Sequence, residues 1–447
     1  MKDKNIVVPV IVIIVLILIL GGLWFFIIQN NNQTDNPNNN GNNLGPNGNQ
    51  NTSIEYSAAK EITKDEDIEK GEYSSTTKDE NTISVSGNVK SNLSNITVSK
   101  TGDSDGGDNT SFYGTNSAII AKDGANVTIK NATITTDATG ANGVFSYGGS
   151  ATTNNSSSDG TTVTISDSTI TTSKDNSGGI MTTGGGVMNA SNLTITTSGT
   201  SSAAIRSDRG GGTVTVEKGT YKTTGKGSPT IYSTADITVK DATLIATASE
   251  GVVIEGKNSV TLENVTLEDD NNTLNGQSTT YKNIFLYQSM SGDAANGEAV
   301  FTSKNSTITT LNGDSFYVTN TTATINLEKN MIVNKDSQGN FLRIQKDSWG
   351  TNGSNGGNVT LNLTNQDIEG NIVVDEISSL KMNMTSSNFK GKFDAKDGTV
   401  TLKLDSSSTI SLTGDSYITS LENSDSTNSN IQLNGYKLYI NGVEFSK

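Results

Sequence analysis

The chain has 447 residues, 32% of them hydrophobic, with 31 Lys plus Arg against 46 Asp plus Glu, and it contains no His and no Cys. The missing residues exclude an imidazole base, a Ser-His-Asp triad, a thiolate nucleophile, a disulfide framework and iron–sulfur ligation. A net charge of -15 argues against nucleic acid as a partner, because binding phosphates draws on clustered Lys and Arg to displace counterions. In chain order, residues 6–28 form the first element, an apolar run broken only by Pro9, Gly21 and Gly22. At about 1.5 Å per residue it is long enough to cross a bilayer as a helix. The run exceeds the apolar core of a secretory signal and continues through Trp24, Phe25 and Phe26 into an Asn tract, so an uncleaved anchor is expected. Lys2 and Lys4 precede it and no Lys or Arg follows until Lys60. The positive-inside rule therefore places residues 1–5 in the cytoplasm and the rest of this single-pass protein outside the cell. Residues 29–57 are Asn, Gly, Gln and Pro with almost no apolar side chain, the composition of a disordered linker.

Residues 58–447 are built on an internal repeat. IEKGEYSST at 68–76 is nearly reproduced as VEKGTYKTT at 216–224, and NVTIKNATITTD, TVTISDSTITTS, DITVKDATLIAT and SVTLENVTLEDD share one skeleton. Two alternating apolar positions are followed five residues later by a third. Aligning on the third gives Tyr73, Val98, Ile134, Ile170, Ile195, Tyr221, Leu244, Leu267, Ile308, Ile332, Ile368 and Phe389, all apolar or aromatic. The basic unit is 21 to 26 residues, stretched in places by insertions. Alternation with Thr and Ser signals strands and excludes helix. Units this short cannot bury a face alone, but stacked at about 4.8 Å they bury one continuous narrow core. The expected fold is all-β, a parallel β-helix of about thirteen coils. Three residues before the aligned position stand Asn95, Asn131, Asp167, Asn192, Asp241, Asn264, Asn305 and Asn365, where a left-handed turn residue is expected.

The repeated strands and the Asn column resemble right-handed parallel β-helices of the pectate-lyase-like kind. The stretches SGGIMTTGGG, SAAIRSDRGGGTVTV, SEGVVIEGKNSVTL, YKNIFLYQSMSGD and NGYKLYINGV are similar to an adhesin-like group of bacterial surface proteins. This resemblance implies a fold and a cell-surface location, with no established activity.

Insertions at 148–160, 207–212, 288–297 and 346–357 follow the same strand of their coils, so they are expected to project from one edge and border a groove. Arginine occurs only at 206, 209 and 343. Counting along the repeat puts Met181, Arg206, Tyr232 and Glu255 in one outward column, with Ile180, Ile205, Ile231 and Ile254 inward. With Asp208, Arg209 and Trp349 this column forms the candidate ligand site, of a kind that grips a sugar or uronate; a solvated stripe with weak ion pairs is the plainer alternative. TGDSDGGDN invites a calcium site at Asp103, Asp105 and Asp108, although its spacing is not that of an EF-hand and an ordinary polar loop explains it better. No other cofactor is expected. The leading function is an extracellular, adhesin-like protein that binds glycans or cell-surface and wall components. A polysaccharide lyase or glycoside hydrolase on the same scaffold is the alternative, and a passive structural stalk is the second alternative.

Overall fold

The computed structural model describes residues 54–150 and 158–446. The expected cytoplasmic end, membrane span and most of the linker lie outside the described residues, among which no helix is long and apolar enough to cross a membrane. The regular elements of the described chain are nearly all strands, and these pair in parallel from coil to coil; the one antiparallel pair among them joins Leu438–Ile440 to Val443–Glu444. This arrangement is consistent with a parallel β-helix. One strand per coil builds a thirteen-stranded sheet, sheet I, running from Ala58–Ile62 to Phe393–Asp394. Strands such as Asn126–Lys130 and Thr133–Thr136 build a sheet of twenty-one strands, sheet II.

The register follows the repeat residue by residue. Tyr73 pairs with Val98, Val98 with Ile134, Ile134 with Ile170, and so on through Ile195, Tyr221, Leu244, Leu267 and Ile308 to Ile332. Ile368 then pairs with Phe389, and the column runs on to Ile410 and Ile431. Alternation fixes this: in Asn126–Lys130 residues 127 and 129 are buried and their neighbours exposed, so a slip of one residue would bury Thr and Lys instead of Val and Ile. The inward side chains form one apolar cluster extending from Ile62 to Leu438.

All eight Asn and Asp residues of the turn column have positive φ, between 49° and 56°. Only small polar side chains and Gly reach this conformation cheaply, yet Lys218, Lys329 and Ser386 occupy it in other coils. The amides ladder in places: Asn131 Nδ2 donates to Asn95 Oδ1 at 3.2 Å, Asn192 to Asp167 at 2.8 Å and Asn264 to Asp241 at 3.0 Å.

One insertion folds as a helix rather than a loop. Asp108–Tyr113 forms a short helix ended by Gly114 in the left-handed conformation, where a Cβ would stand 2.7 Å from the Phe145 ring. Only glycine lets the chain close that tightly over sheet I.

Candidate functional site

The outward side of sheet I is not a solvated stripe. Its central column runs Ile120, Phe145, Met181, Arg206, Tyr232, Val253, Phe285, Tyr317 and Arg343, each in register with the next. Two apolar clusters lie on it, apart from the inner core: Ile120, Phe145 and Met181, and Val253, Phe285, Tyr287 and Tyr317. The helix covers the first. Thr183 Oγ1 donates to the Phe112 carbonyl at 2.7 Å, and the Tyr113 and Tyr147 rings meet edge to face. Trp349, from the insertion at 346–357, packs on the second, 5.2 Å from the Phe285 ring and 5.3 Å from Tyr287.

Met181, Arg206 and Tyr232 share the expected column, but Glu255 does not. Tyr232 pairs with Val253, and Glu255 stands two positions further on, in register with Tyr287. The reason is a shortened corner. Ile205 and Ile231 stand ten positions after Ile195 and Tyr221, whereas Val252 stands eight after Leu244. A two-residue shift preserves which side chains face inward, so Ile254 is fully buried in the core as expected.

Arg206 is brought to Asp208 and Tyr232 to Glu255, while Arg209 and Trp349 contact residues outside the candidate set. Arg206 Nη2 donates to Asp208 Oδ2 at 2.9 Å, with side chains only 11% and 8% exposed. Burial pushes the Asp208 carboxyl up to about 6 even though Arg206 pulls it down. Arg209 bonds Asp293 at 2.6 Å and lays its guanidinium 4.0 Å from the centre of the Phe112 ring. Glu255 is buried and accepts hydrogen bonds from the hydroxyls of Tyr232, Tyr287 and Ser289. Burial, with the Glu255 charge, raises both tyrosine hydroxyls well above their ordinary range. Arg343 belongs to the same column as Arg206 and is likewise committed, its Nε 2.5 Å from buried Asp314.

Sequence reasoning missed Glu250, Lys282, Asp314 and Asp347. Lys282 is fully buried, and its ammonium donates to Ser278 and to the Thr280 carbonyl at 2.9 Å, stands 3.5 Å from Glu250 and lies 4.4 Å from the Phe285 ring centre. Desolvation holds it below the usual lysine range. Asp347 accepts from the Tyr317 hydroxyl at 2.6 Å. The missed signal was loss of alternation: in KNIFLY (Lys282–Tyr287) and DSFYVT (Asp314–Thr319) every residue is buried, the pattern of a strand covered on both faces.

The three calcium candidates do not converge. Asp103 accepts the Thr139 amide at 2.8 Å, Asp105 accepts the Gly107 amide at 3.0 Å, and Asp108 sits in the first turn of the helix. Among the described residues no group of three or more acidic side chains is placed to hold a metal ion.

Among the described residues, the groove expected between inserted loops is present for one pair. Insertions 288–297 and 346–357 border an open depression of about 600 Å³, lined by Gln288, Asn296, Asn320, Thr322, Thr351 and Asn358, with Met290 and Glu298 also on it. No protein-family model, no curated protein and no solved structure matches the chain. The functional reading therefore rests on this geometry. A buried ion pair and a carboxylate held by three hydroxyls offer no open acid–base pair, whereas the depression offers amides and hydroxyls facing solvent.

Proposed function

We propose that the chain is a membrane-anchored, extracellular, adhesin-like protein: a cytoplasmic start at 1–5, a span at 6–28, a flexible linker at 29–57, and a right-handed β-helix that contacts glycans or wall components through its edge loops. Right-handedness follows from the general chirality of parallel strand connections. The polar depression between insertions 288–297 and 346–357 is the observation that carries the binding reading. Its lining contains no Lys or Arg and one carboxylate, Glu298, so it suits a neutral saccharide better than the uronate for which Arg206 had been the expected grip. The closed Arg206–Asp208 and Glu255 arrangement weighs against the lyase and hydrolase alternative. The test is a carbohydrate array probed with the purified chain and with a triple variant, Asn296→Ala, Thr322→Ala and Asn358→Ala, all at exposed positions. Binding of at least one neutral glycan that the triple variant weakens or loses, whatever other glycans it still binds, with little dependence on salt, supports the reading. Absence of binding across the array leaves the passive stalk in its place. Proteolysis of intact cells separately tests the orientation: the β-helix domain should be cut or released while residues 1–5 stay protected.

A further inference from the structure

The far end of the described chain holds a second arrangement, independent of the loop depression. Ser416–Ile418 and Leu438–Ile440 pair in parallel with Tyr417 opposite Tyr439, and Val443–Glu444 turns back on the second strand. The two rings stack face to face, centroids 5.1 Å apart and 8° from parallel. They differ from the tyrosines of sheet I. Tyr232, Tyr287 and Tyr317 lie under inserted loops and donate to carboxylates, whereas Tyr417 and Tyr439 are both partly exposed. They stand over a depression of about 480 Å³ that Lys396, Asp397, Thr419 and Asn441 also line, and all four of those residues are exposed. The turn that closes it is held by Asn441 and Gly442, both in the left-handed conformation, with the Asn441 amide donating to the Ile418 carbonyl at 2.9 Å.

We propose that this depression binds a neutral pyranose unit, with an outer ring face of the Tyr417–Tyr439 stack as its platform. An aromatic face is apolar but carries a negative quadrupole, and the C–H face of a pyranose is apolar with slightly positive hydrogens, so the two match in shape and polarity. The rim supplies what the ring hydroxyls need: an ammonium and an amide that donate, and a carboxylate and a hydroxyl that accept. One cation and one anion cancel, so the site has no net preference for an acidic sugar. The volume falls in the range of small-molecule sites, about 300–1,000 Å³. Two adjacent, partly exposed tyrosines at the end of a sheet also carry an aggregation liability that a ligand-binding role would explain.

The experiment uses the full chain in detergent, with tetrasaccharides of β-1,4-linked glucose and of β-1,4-linked N-acetylglucosamine as neutral probes and a glucuronate oligomer as the charged comparison. Saturation transfer and calorimetry read binding. Saturable binding of a neutral probe is expected, weakened about tenfold by Tyr439→Ala and little changed by Tyr439→Phe, which keeps the ring. The exposed Asp397→Ala should weaken it several-fold without touching the core, which keeps the test open if Tyr439→Ala disturbs the last coil. The triple variant of the loop depression should leave this binding intact, so failure of one site is separable from failure of the other. The proposal is overturned if neither neutral probe binds, if only the glucuronate oligomer binds, or if a folded Tyr439→Ala and Asp397→Ala both bind like the parent.

Discussion

Arg206 and Asp208 form an ion pair of 2.9 Å with both side chains almost wholly covered. The guanidinium also reaches the Ser201 carbonyl at 3.4 Å and the Ser111 hydroxyl of the helix at 3.5 Å. Arg206→Ala would therefore leave a buried carboxylate without its partner and loosen the helix over sheet I. We expect a loss of about 3–5 kcal/mol in unfolding free energy, against the few tenths a surface arginine would cost. Denaturant unfolding of the purified domain measures it, and a midpoint equal to the parent's would show that the pair carries no structural weight. Arg343→Ala should cost less, because Arg343 is more exposed and Asp314 keeps the Asn340 hydrogen bonds to its other oxygen.

Asp208 also sets a pH dependence. Its folded value is raised to about 6, with burial the largest cause, from an ordinary 3.8. The folded state thus binds this proton more tightly than the unfolded chain. The group's stabilising contribution is fully present below about 3.8 and is lost as pH rises through about 6. Asp208→Asn should flatten the stability profile between those values, read as the difference in unfolding midpoint between pH 4 and pH 7. An unchanged profile would mean that Asp208 titrates as an exposed carboxyl.

How much of this was legible in the sequence depends on which side of a strand is considered. The inward column from Tyr73 to Phe389 could be aligned because each coil repeats an apolar residue between polar ones, and a side chain facing a narrow core must be apolar whatever its neighbours do. The eight Asn and Asp turn residues were legible for the same local reason. The outward side was not. Whether Met181 or Phe285 is covered depends on where the helix and Trp349 come to rest, contacts between segments far apart in the chain. Glu255 was displaced by two missing residues in one corner, a change that parity cannot reveal. Arg343 shares the column of Arg206 across coils that the repeat alignment did not connect.

Glu255 offers a sharper test of the covered face. Three hydroxyls, those of Tyr232, Tyr287 and Ser289, converge on its two oxygens. Hydrogen bonds to a buried charge contribute about 1.5–3 kcal/mol each before non-additivity. Glu255→Ala should destabilise the domain by about 3 kcal/mol or more, because it strands the donors as well as removing the acceptor. Glu255→Gln should recover part of that loss, since one carbonyl oxygen remains. If the two variants unfold alike, the carboxylate is not the centre of the cluster.

Lys218 tests the turn column in the stabilising direction. It has φ of 63° and lies between Asn192 and Asp241, members of two separate ladder segments. A long side chain in this conformation costs about 1–2 kcal/mol that Asn largely avoids. Its exposed contact with Glu217, at 3.3 Å, is a surface pair of little value. Lys218→Asn should therefore raise stability by about 0.5–1 kcal/mol, with the new amide placed to join the two ladders. A lower melting temperature would refute the reading of this position as a left-handed turn.

Asp269 is the clearest internal conflict in the stack. It sits in an inward column in which Thr136, Thr172, Thr197 and Thr223 precede it and Thr310 follows, linked through Ala246. It is fully buried, and neither carboxyl oxygen has a hydrogen-bond partner. Burial raises its pKa well above the ordinary value and Glu250 adds to this; the Asn271 amide and Lys282 are near enough to oppose the shift without reversing it. The sign follows: this residue favours the fold when protonated, fully so below the unfolded value of 3.8, and the advantage disappears as pH rises through the higher folded value. At neutral pH it is a cost. Asp269→Thr would place in this coil the residue type its neighbours use, a hydroxyl small enough for the column and able to donate to a carbonyl, as Thr172 does to Ser177. We expect a gain of about 1–3 kcal/mol at pH 7 and a much smaller one at pH 4, where the parent carboxyl is already neutral. Thermal unfolding of parent and variant at the two pH values decides it: equal shifts at both would mean the gain comes from packing rather than from removing a buried charge, and a loss at pH 7 would mean that Asp269 has a partner in solution.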